Sequence, residues 1–261
     1  MASRWIGYDM DECIGNVVCL HYFIVNMNNT DRNNFKKIIW ESEKSGETWL
    51  FRPSFLKTFP IVKKFVDDGK INGAFIYSNN SSQILVDFIV DMLNMYMENE
   101  LGAKETIFRM GSSSKCPCRV KEPLIKSFDN IQNTLKCHKL PLLSSPNDLL
   151  FFDDQIHILI DEIPNYAQVK PYTNLTPIYS LMLLTLKNEN ELPSLERTKA
   201  SSMAMNEQMS HIDNKQTLLR PMANYQIENE IQQFKHFYIN FISGGYNKRY
   251  GRHSTRKTHS L

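Results

Sequence analysis

Three short apolar runs in this chain each stop at a polar or acidic group. Arg4 to Tyr8 runs into Asp9-Met10-Asp11-Glu12, Gly73 to Tyr77 runs into Ser78, and Leu149 to Phe152 runs into Asp153-Asp154. Runs of this length read as buried strands. Between them lie segments of helical period. Pro53 opens one that reaches about Asp68, with Phe55, Phe59, Val62 and Phe65 on one face. Gln83 to Glu98 is another, with Ile84, Val86, Phe88, Ile89, Met92 and Met95. Strand alternating with helix predicts parallel βαβ units, hence an α/β fold with a Rossmann-like parallel sheet. Open sheets of this kind bind ligands at the carboxyl ends of their strands. The sequence therefore predicts that Asp9, Ser78 and Asp153-Asp154 converge on one crevice.

The remaining segments read less uniformly. Cys13 to Met27 is apolar enough for helix or strand. Asn28 to Asn34 is Asn-rich and reads as loop, and Lys44-Ser45-Gly46-Glu47 as a hairpin turn leading into a strand, Thr48 to Arg52. Gly111 to Arg119 reads as loop and Pro123 to Leu135 as helix. The organisation expected is a catalytic domain over 1–187, a polar connecting segment over 188–226, a docking helix over 227–243 and a basic disordered tail over 244–261. The docking helix carries Ile227, Ile231, Phe234, Phe237, Tyr238 and Phe241 at helical spacing, and Gly244-Gly245 ends it.

Composition excludes little. A net charge of +2 over 261 residues does not call for nucleic acid, although the tail from Lys248 to Lys257 is basic without balancing acids. Its bland reading is a solvated tail. Its sharper reading is a salt-sensitive contact with nucleic acid or an acidic partner, with Tyr246 and Tyr250 placed to stack on bases. No secretory signal is visible, and Ile178 to Leu186, the longest apolar candidate, falls short of the roughly 18 residues a membrane span needs. The chain is expected to have no membrane association. Five cysteines, Cys13, Cys19, Cys116, Cys118 and Cys137, make an odd count. Without a signal, that favours thiols in a reducing intracellular compartment. Cys116, Cys118, Cys137 and His138 could supply four zinc ligands, but their spacing fits no standard zinc module, and ordinary thiols are the expectation.

Asp9 and Asp11 place two carboxylates two residues apart just after a buried strand. Phosphoryl transfer through a covalent intermediate needs a carboxylate nucleophile and a second group to protonate the leaving oxygen and then activate water. Two neighbouring acids divide these roles when their surroundings push their pKa values apart. Alone, the pair reads as a turn or cap. Ser78, with the amides of Asn79 and Asn80, can hold a phosphate oxygen, or it can simply cap a helix. Asp153 and Asp154 side by side are costly without a counterion, which points to a divalent cation such as Mg²⁺ shared with Asp9 and Asp11. Lys121 or Lys126 can balance the phosphate, or either can be a solvated surface group.

In order, spacing and strand context the series resembles the four motifs of the haloacid dehalogenase (HAD) superfamily. Trp5 to Ile14 resembles motif one, Phe75-Ile76-Tyr77-Ser78-Asn79 motif two, Val120-Lys121-Glu122-Pro123 the motif-three lysine region, and Leu149 to Asp154 motif four. The resemblance covers roughly the first 170 residues. It implies that Asp9 forms an aspartyl-phosphate and that Asp11 is the acid/base. Ser78, Asn79 and Lys121 or Lys126 would bind the phosphoryl group. Asp9, the Asp11 carbonyl and Asp153 or Asp154 would hold Mg²⁺. Trp49 to Leu56, with Arg52-Pro53, is similar to a segment of the phosphatases acting on the C-terminal domain of RNA polymerase II. That branch has little cap domain, which implies a phosphoprotein substrate. Cys13, where that branch has Thr, Ser54, where it commonly has Gly, and Gln155 after Asp154 depart from its pattern. The alternatives are an inactive HAD-like binding module and a phosphatase of nucleotides or nucleic-acid ends. The Gly-Gly-plus-basic tail is similar to tails on many giant-virus proteins, which would imply the host cytoplasm or the virion.

Overall fold

The structure, a computed structural model, describes residues 3–46, 50–119, 125–157, 159–172 and 224–244, with 181, 184, 185 and 188 between them. Among the described residues five strands form one sheet: β1 (Trp5–Tyr8), β2 (Ala74–Tyr77), β3 (Phe108–Ser112), β4 (Leu149–Asp153) and β5 (Asn165–Gln168). All neighbours are parallel, and the order is β3-β2-β1-β4-β5. This is an α/β, Rossmann-like arrangement. Chain order reverses direction across β1, so the crevice of such a sheet lies at the carboxyl ends of β1 and β4.

Successive side chains alternate between two apolar layers, because a strand has a period of two. Ile6, Tyr8, Ile76, Leu150 and Phe152 pack on one face, together with α3 (Pro53–Asp67) and α4 (Gln83–Leu101). Trp5, Phe75, Tyr77, Leu149 and Phe151 pack on the other, with Ile131 and Leu135 of α5 (Phe128–Cys137) and Leu159 of α6 (Leu159–Glu162). Gly7 falls between Phe75 and Phe151, where a Cβ would approach a Phe151 ring carbon to 2.4 Å. The strand can therefore carry no side chain at that point.

β3 and β5 have no counterpart in the sequence reading. Both are edge strands. β5, Asn165-Tyr166-Ala167-Gln168, buries only alternate residues, and β3 carries an exposed Arg109. The continuous apolar signal of the central strands is missing from both.

Three local expectations are corrected. Asn28 to Asn34 is not loop: Asn28 accepts the Asp31 N–H and caps α2 (Asn29–Ser45), which buries Phe35, Ile39 and Trp40. Packing of that stripe outweighs the modest helix propensity of the Asn-rich turn. Gly46 then ends α2 in the left-handed conformation (φ 74°) instead of turning a hairpin. Of the strand expected over Thr48 to Arg52, the described part makes one isolated bridge, Phe51 with Gly15. The helix expected from Pro123 begins at Phe128, capped by Ser127, so Lys126 stands ahead of it. Within the apolar stretch Cys13 to Met27, the only helix is the short α1 (Leu20–Ile24).

A fourth correction concerns the thiols. Cys118 and Cys137 form a disulfide, Cα–Cα 5.7 Å, while Cys13, Cys19 and Cys116 lie outside it. The end of α5 meets the loop after β3, a tertiary contact that spacing along the chain does not reveal.

The docking helix is α7 (Asn224–Ser243). It belongs to the main core. Phe234 stacks on Phe55 at 4.4 Å and 8°, and the Tyr238 hydroxyl lies 2.8 Å from that of Tyr8. Residues 189–223 and 245–261, most of the connecting segment and nearly all of the basic tail, lie outside the described residues. Among the described residues no helix is long and apolar enough to cross a membrane.

Candidate metal and phosphate site

Asp9 follows β1 directly, and its N–H donates to the Phe152 carbonyl at 2.8 Å, extending the ladder to β4 by one bond. The sheet thus fixes its position. The chain then turns tightly: Glu12 adopts φ 56°, and its N–H donates to the Gly15 carbonyl at 2.9 Å. A non-glycine residue in that conformation is uncommon and must be held from outside. Arg52 does this. Its buried guanidinium donates to the Glu12 carbonyl at 2.9 Å and to the Lys170 carbonyl, and lies over Tyr172. Glu230 of α7 backs it, 3.7 Å from Nη1, while accepting the Ser54 hydroxyl at 2.6 Å. The Arg52-Pro53-Ser54 segment therefore braces the acidic turn.

Asp9, Asp153 and Asp154 each offer a carboxylate oxygen, and these oxygens lie within 4.8 Å of one another. All three residues are buried. Lys126 completes the cluster, its Nζ 2.7 Å from Asp9 Oδ1 and 2.8 Å from Asp153 Oδ2. Of the two candidate lysines, Lys126 is the one the described residues bring to the site. Lys121, with the rest of the motif-three stretch 120–123, lies outside the described residues. Three carboxylates against one ammonium leave two negative charges in a buried space, which one divalent cation would cancel. Asp154 Oδ1 is buried and has no hydrogen-bond donor among the described residues. An oxygen-only donor set with an unsatisfied carboxylate oxygen fits Mg²⁺.

Electrostatics agree. Burial holds the Asp9 carboxyl well above its ordinary range, Lys126 opposing and Asp153 adding to the rise. Asp154 is pushed up to about 6, by burial and then by Asp153. Burial works to lower Lys126, but Asp9 and Asp153 more than offset it, so its ammonium is held charged.

Asp11 faces elsewhere. Its Oδ2 accepts from Ser78 Oγ at 3.4 Å and from the Asn80 side-chain amide at 3.5 Å, and its Oδ1 is buried without a partner among the described residues. Its pKa is raised to about 7, by burial first and then by Asp9. The Asp11 carboxylate thus stands apart from the three that cluster, so of the four expected metal ligands its side chain is the one not gathered.

Ser78 is fully buried at the end of β2 and is not a helix cap: Ser82 caps α4, and Ser78 Oγ accepts the Asn80 N–H at 3.0 Å. Asn79 accepts from Arg119 Nη1 at 3.2 Å. Sequence reasoning missed Arg119. It is buried, donates to the Ser78 and Ser112 carbonyls at 2.7 and 3.0 Å, and lies 3.6 Å over the Tyr77 ring. It fixes the loop that carries Ser78 and Asn79. The only sign in the sequence was a cation in a loop after a strand that had itself gone unread. His157, 3.6 Å from Asp153 Oδ2, was missed as well.

Comparison with protein-family models, with curated proteins and with solved structures finds no match for this chain.

Proposed function

We propose that this chain is a Mg²⁺-dependent phosphomonoesterase of the HAD type, working through an aspartyl-phosphate on Asp9. The observation that carries this reading is the division between two acids two residues apart. Asp9 sits with Asp153, Asp154 and Lys126, while Asp11 sits outside that cluster, opposite Ser78; burial raises both carboxyls to about 7, so the division is one of position, with the Lys126 ammonium 2.7 Å from Asp9 to favour its ionised form. A nucleophile must be ionised and aimed; a general acid must carry a proton near neutrality.

In the proposed reaction the phosphoryl group lies between Asp9 and the Ser78 loop. An Asp9 oxygen attacks phosphorus while the bond from phosphorus to the leaving oxygen breaks. Asp11 gives its proton to that oxygen. Lys126 balances negative charge on Asp9 and on the phosphoryl oxygens. Ser78 and Asn79, braced by Arg119, hold the remaining phosphoryl oxygens. Asp11, now ionised, removes a proton from water as the water attacks phosphorus, which releases phosphate and returns Asp9 to its carboxylate. Mg²⁺ bound by Asp9, Asp153 and Asp154 would supply charge neutralisation and a fixed position for the phosphoryl group.

α1 and α2, the helices between the acidic turn and α3, pack on α4. That supports a minimal cap and, with it, a substrate presented on a protein or polymer end. Hydrolysis of p-nitrophenyl phosphate with and without Mg²⁺, repeated with Asp9→Asn, tests the proposal. Activity that needs both Mg²⁺ and Asp9 supports it. No turnover of aryl phosphate, phosphopeptide or phosphorylated nucleic-acid ends would select the binding-module reading instead.

A further inference from the structure

A second cluster of metal-ligating side chains lies on the other side of Arg119, and it owes nothing to the phosphotransfer reading. After β3 the chain turns so that the Cys116 N–H donates to the Ser113 carbonyl at 3.0 Å and the Arg119 N–H to the Cys116 carbonyl at 2.9 Å. This presents Cys116 and Cys118 together, both buried. Cys137 is the last residue of α5 and His138 its C-cap. The sulfurs of Cys116 and Cys118 and a ring nitrogen of His138 lie within 4.8 Å of one another, and Cys137 is bonded to Cys118. Four zinc-type donors from two chain segments therefore meet at one point.

We propose that, with its cysteines reduced, this cluster is a structural Zn²⁺ site with ligands Cys116, Cys118, Cys137 and His138. Sulfurs on a tetrahedral zinc stand about 3.8 Å apart, given Zn–S bonds of about 2.3 Å, so Cys116, Cys118 and His138 need little movement, while Cys137 has only to part from Cys118 once reduced. A disulfide alone engages two of the four groups, whereas zinc engages all four. Three thiolates, a neutral imidazole and Zn²⁺ carry one net negative charge. The Arg119 guanidinium, close enough to feel Cys116, opposes it. The chemistry balances in two steps. Two molecules of a thiol reductant open the disulfide to two thiols and leave as one disulfide. Zn²⁺ then binds the three thiols and His138 and releases three protons. The bound ion would close the segment from Cys116 to His138, which contains both Arg119 and Lys126.

The full chain, expressed with zinc and purified with a thiol reductant and no chelator, tests this by metal analysis and by Co²⁺ replacement. The expected result is one zinc per chain and, with Co²⁺, the intense visible bands of tetrahedral thiolate coordination. Those bands should be lost in Cys116→Ser. His138→Ala, a change at an exposed position, should weaken Co²⁺ binding at least about ten-fold, with the fold monitored by circular dichroism. Asp153→Asn should leave zinc content unchanged. Zinc well below stoichiometric with only octahedral cobalt spectra, or zinc that disappears with Asp153→Asn, would overturn the inference.

Discussion

Asp11→Asn is expected to stabilise the metal-free protein at about pH 8 and to leave its stability unchanged below about pH 4. The Asp11 carboxyl is raised from its ordinary 3.8 to about 7. The native state therefore binds this proton more tightly than the unfolded chain does. That contribution is fully present below the unfolded pKa and is lost as pH rises through about 7. A shift of this size has a ceiling of about 4 kcal/mol, at about 1.4 kcal/mol per pH unit. Solvent reaching the half-buried side chain reduces it to about 2 kcal/mol. Asparagine keeps an oxygen to accept from Ser78 and Asn80 but never ionises. Urea titrations of both proteins in a chelator, at the two pH values, read the difference, and a melting shift of about 4–8 °C should accompany it. Equal destabilisation at both pH values would refute the reasoning, because Asp11 would then be an ordinary satisfied structural group.

Three further outcomes follow from the packing. Lys126→Met removes the only cation paired with Asp9 and Asp153 in the described residues. It should cost about 3–5 kcal/mol near pH 8 by denaturation and lower turnover at least about 100-fold in a steady-state assay; a stable, active variant would contradict both. Phe234→Ala takes away the ring stacked on Phe55 and should cost about 3–5 kcal/mol by denaturation, with turnover per folded molecule unchanged. Deleting Tyr246 to Leu261 should leave turnover of a small substrate unaltered, since the motif-bearing residues lie elsewhere in the chain; a large loss would place the tail in the site.

The central strands were legible in the sequence because burial on both faces leaves no alternative to a continuous apolar run, and the acids that end them mark the crevice. Asp9, Ser78, Asp153 and Asp154 are therefore readable from the order of residues alone. β3 and β5 are not: β3 is buried except at Arg109 but has only two large apolar side chains, Phe108 and Met110, beside Gly111 and Ser112, and β5 buries only alternate residues. α2 was hidden by its Asn-rich first turn, where cap and loop share the same residues. Lys126 reaches Asp9 and Asp153 from the turn just ahead of α5, a placement that depends on where that helix begins. Arg119 and Arg52 are tertiary braces that act across the fold on loops distant in sequence; no local pattern announces Arg119, and the Arg52-Pro53 segment stands out in the sequence without revealing which turn it braces. The meeting of Cys118 with Cys137 is of the same kind.

The carboxylate to which a phosphoryl group becomes attached decides the mechanism most directly. Rapid acid quench with a labelled aryl phosphate and Mg²⁺, followed by peptide mapping, should find an acyl-phosphate on Asp9. The label should be absent without Mg²⁺ and absent in Asp9→Asn. In Asp11→Asn it should still form from a substrate with a good leaving group and should decay more slowly than in the wild type, because water then lacks its base. A label on Asp11 or Asp153, or turnover that survives Asp9→Asn, would contradict the account.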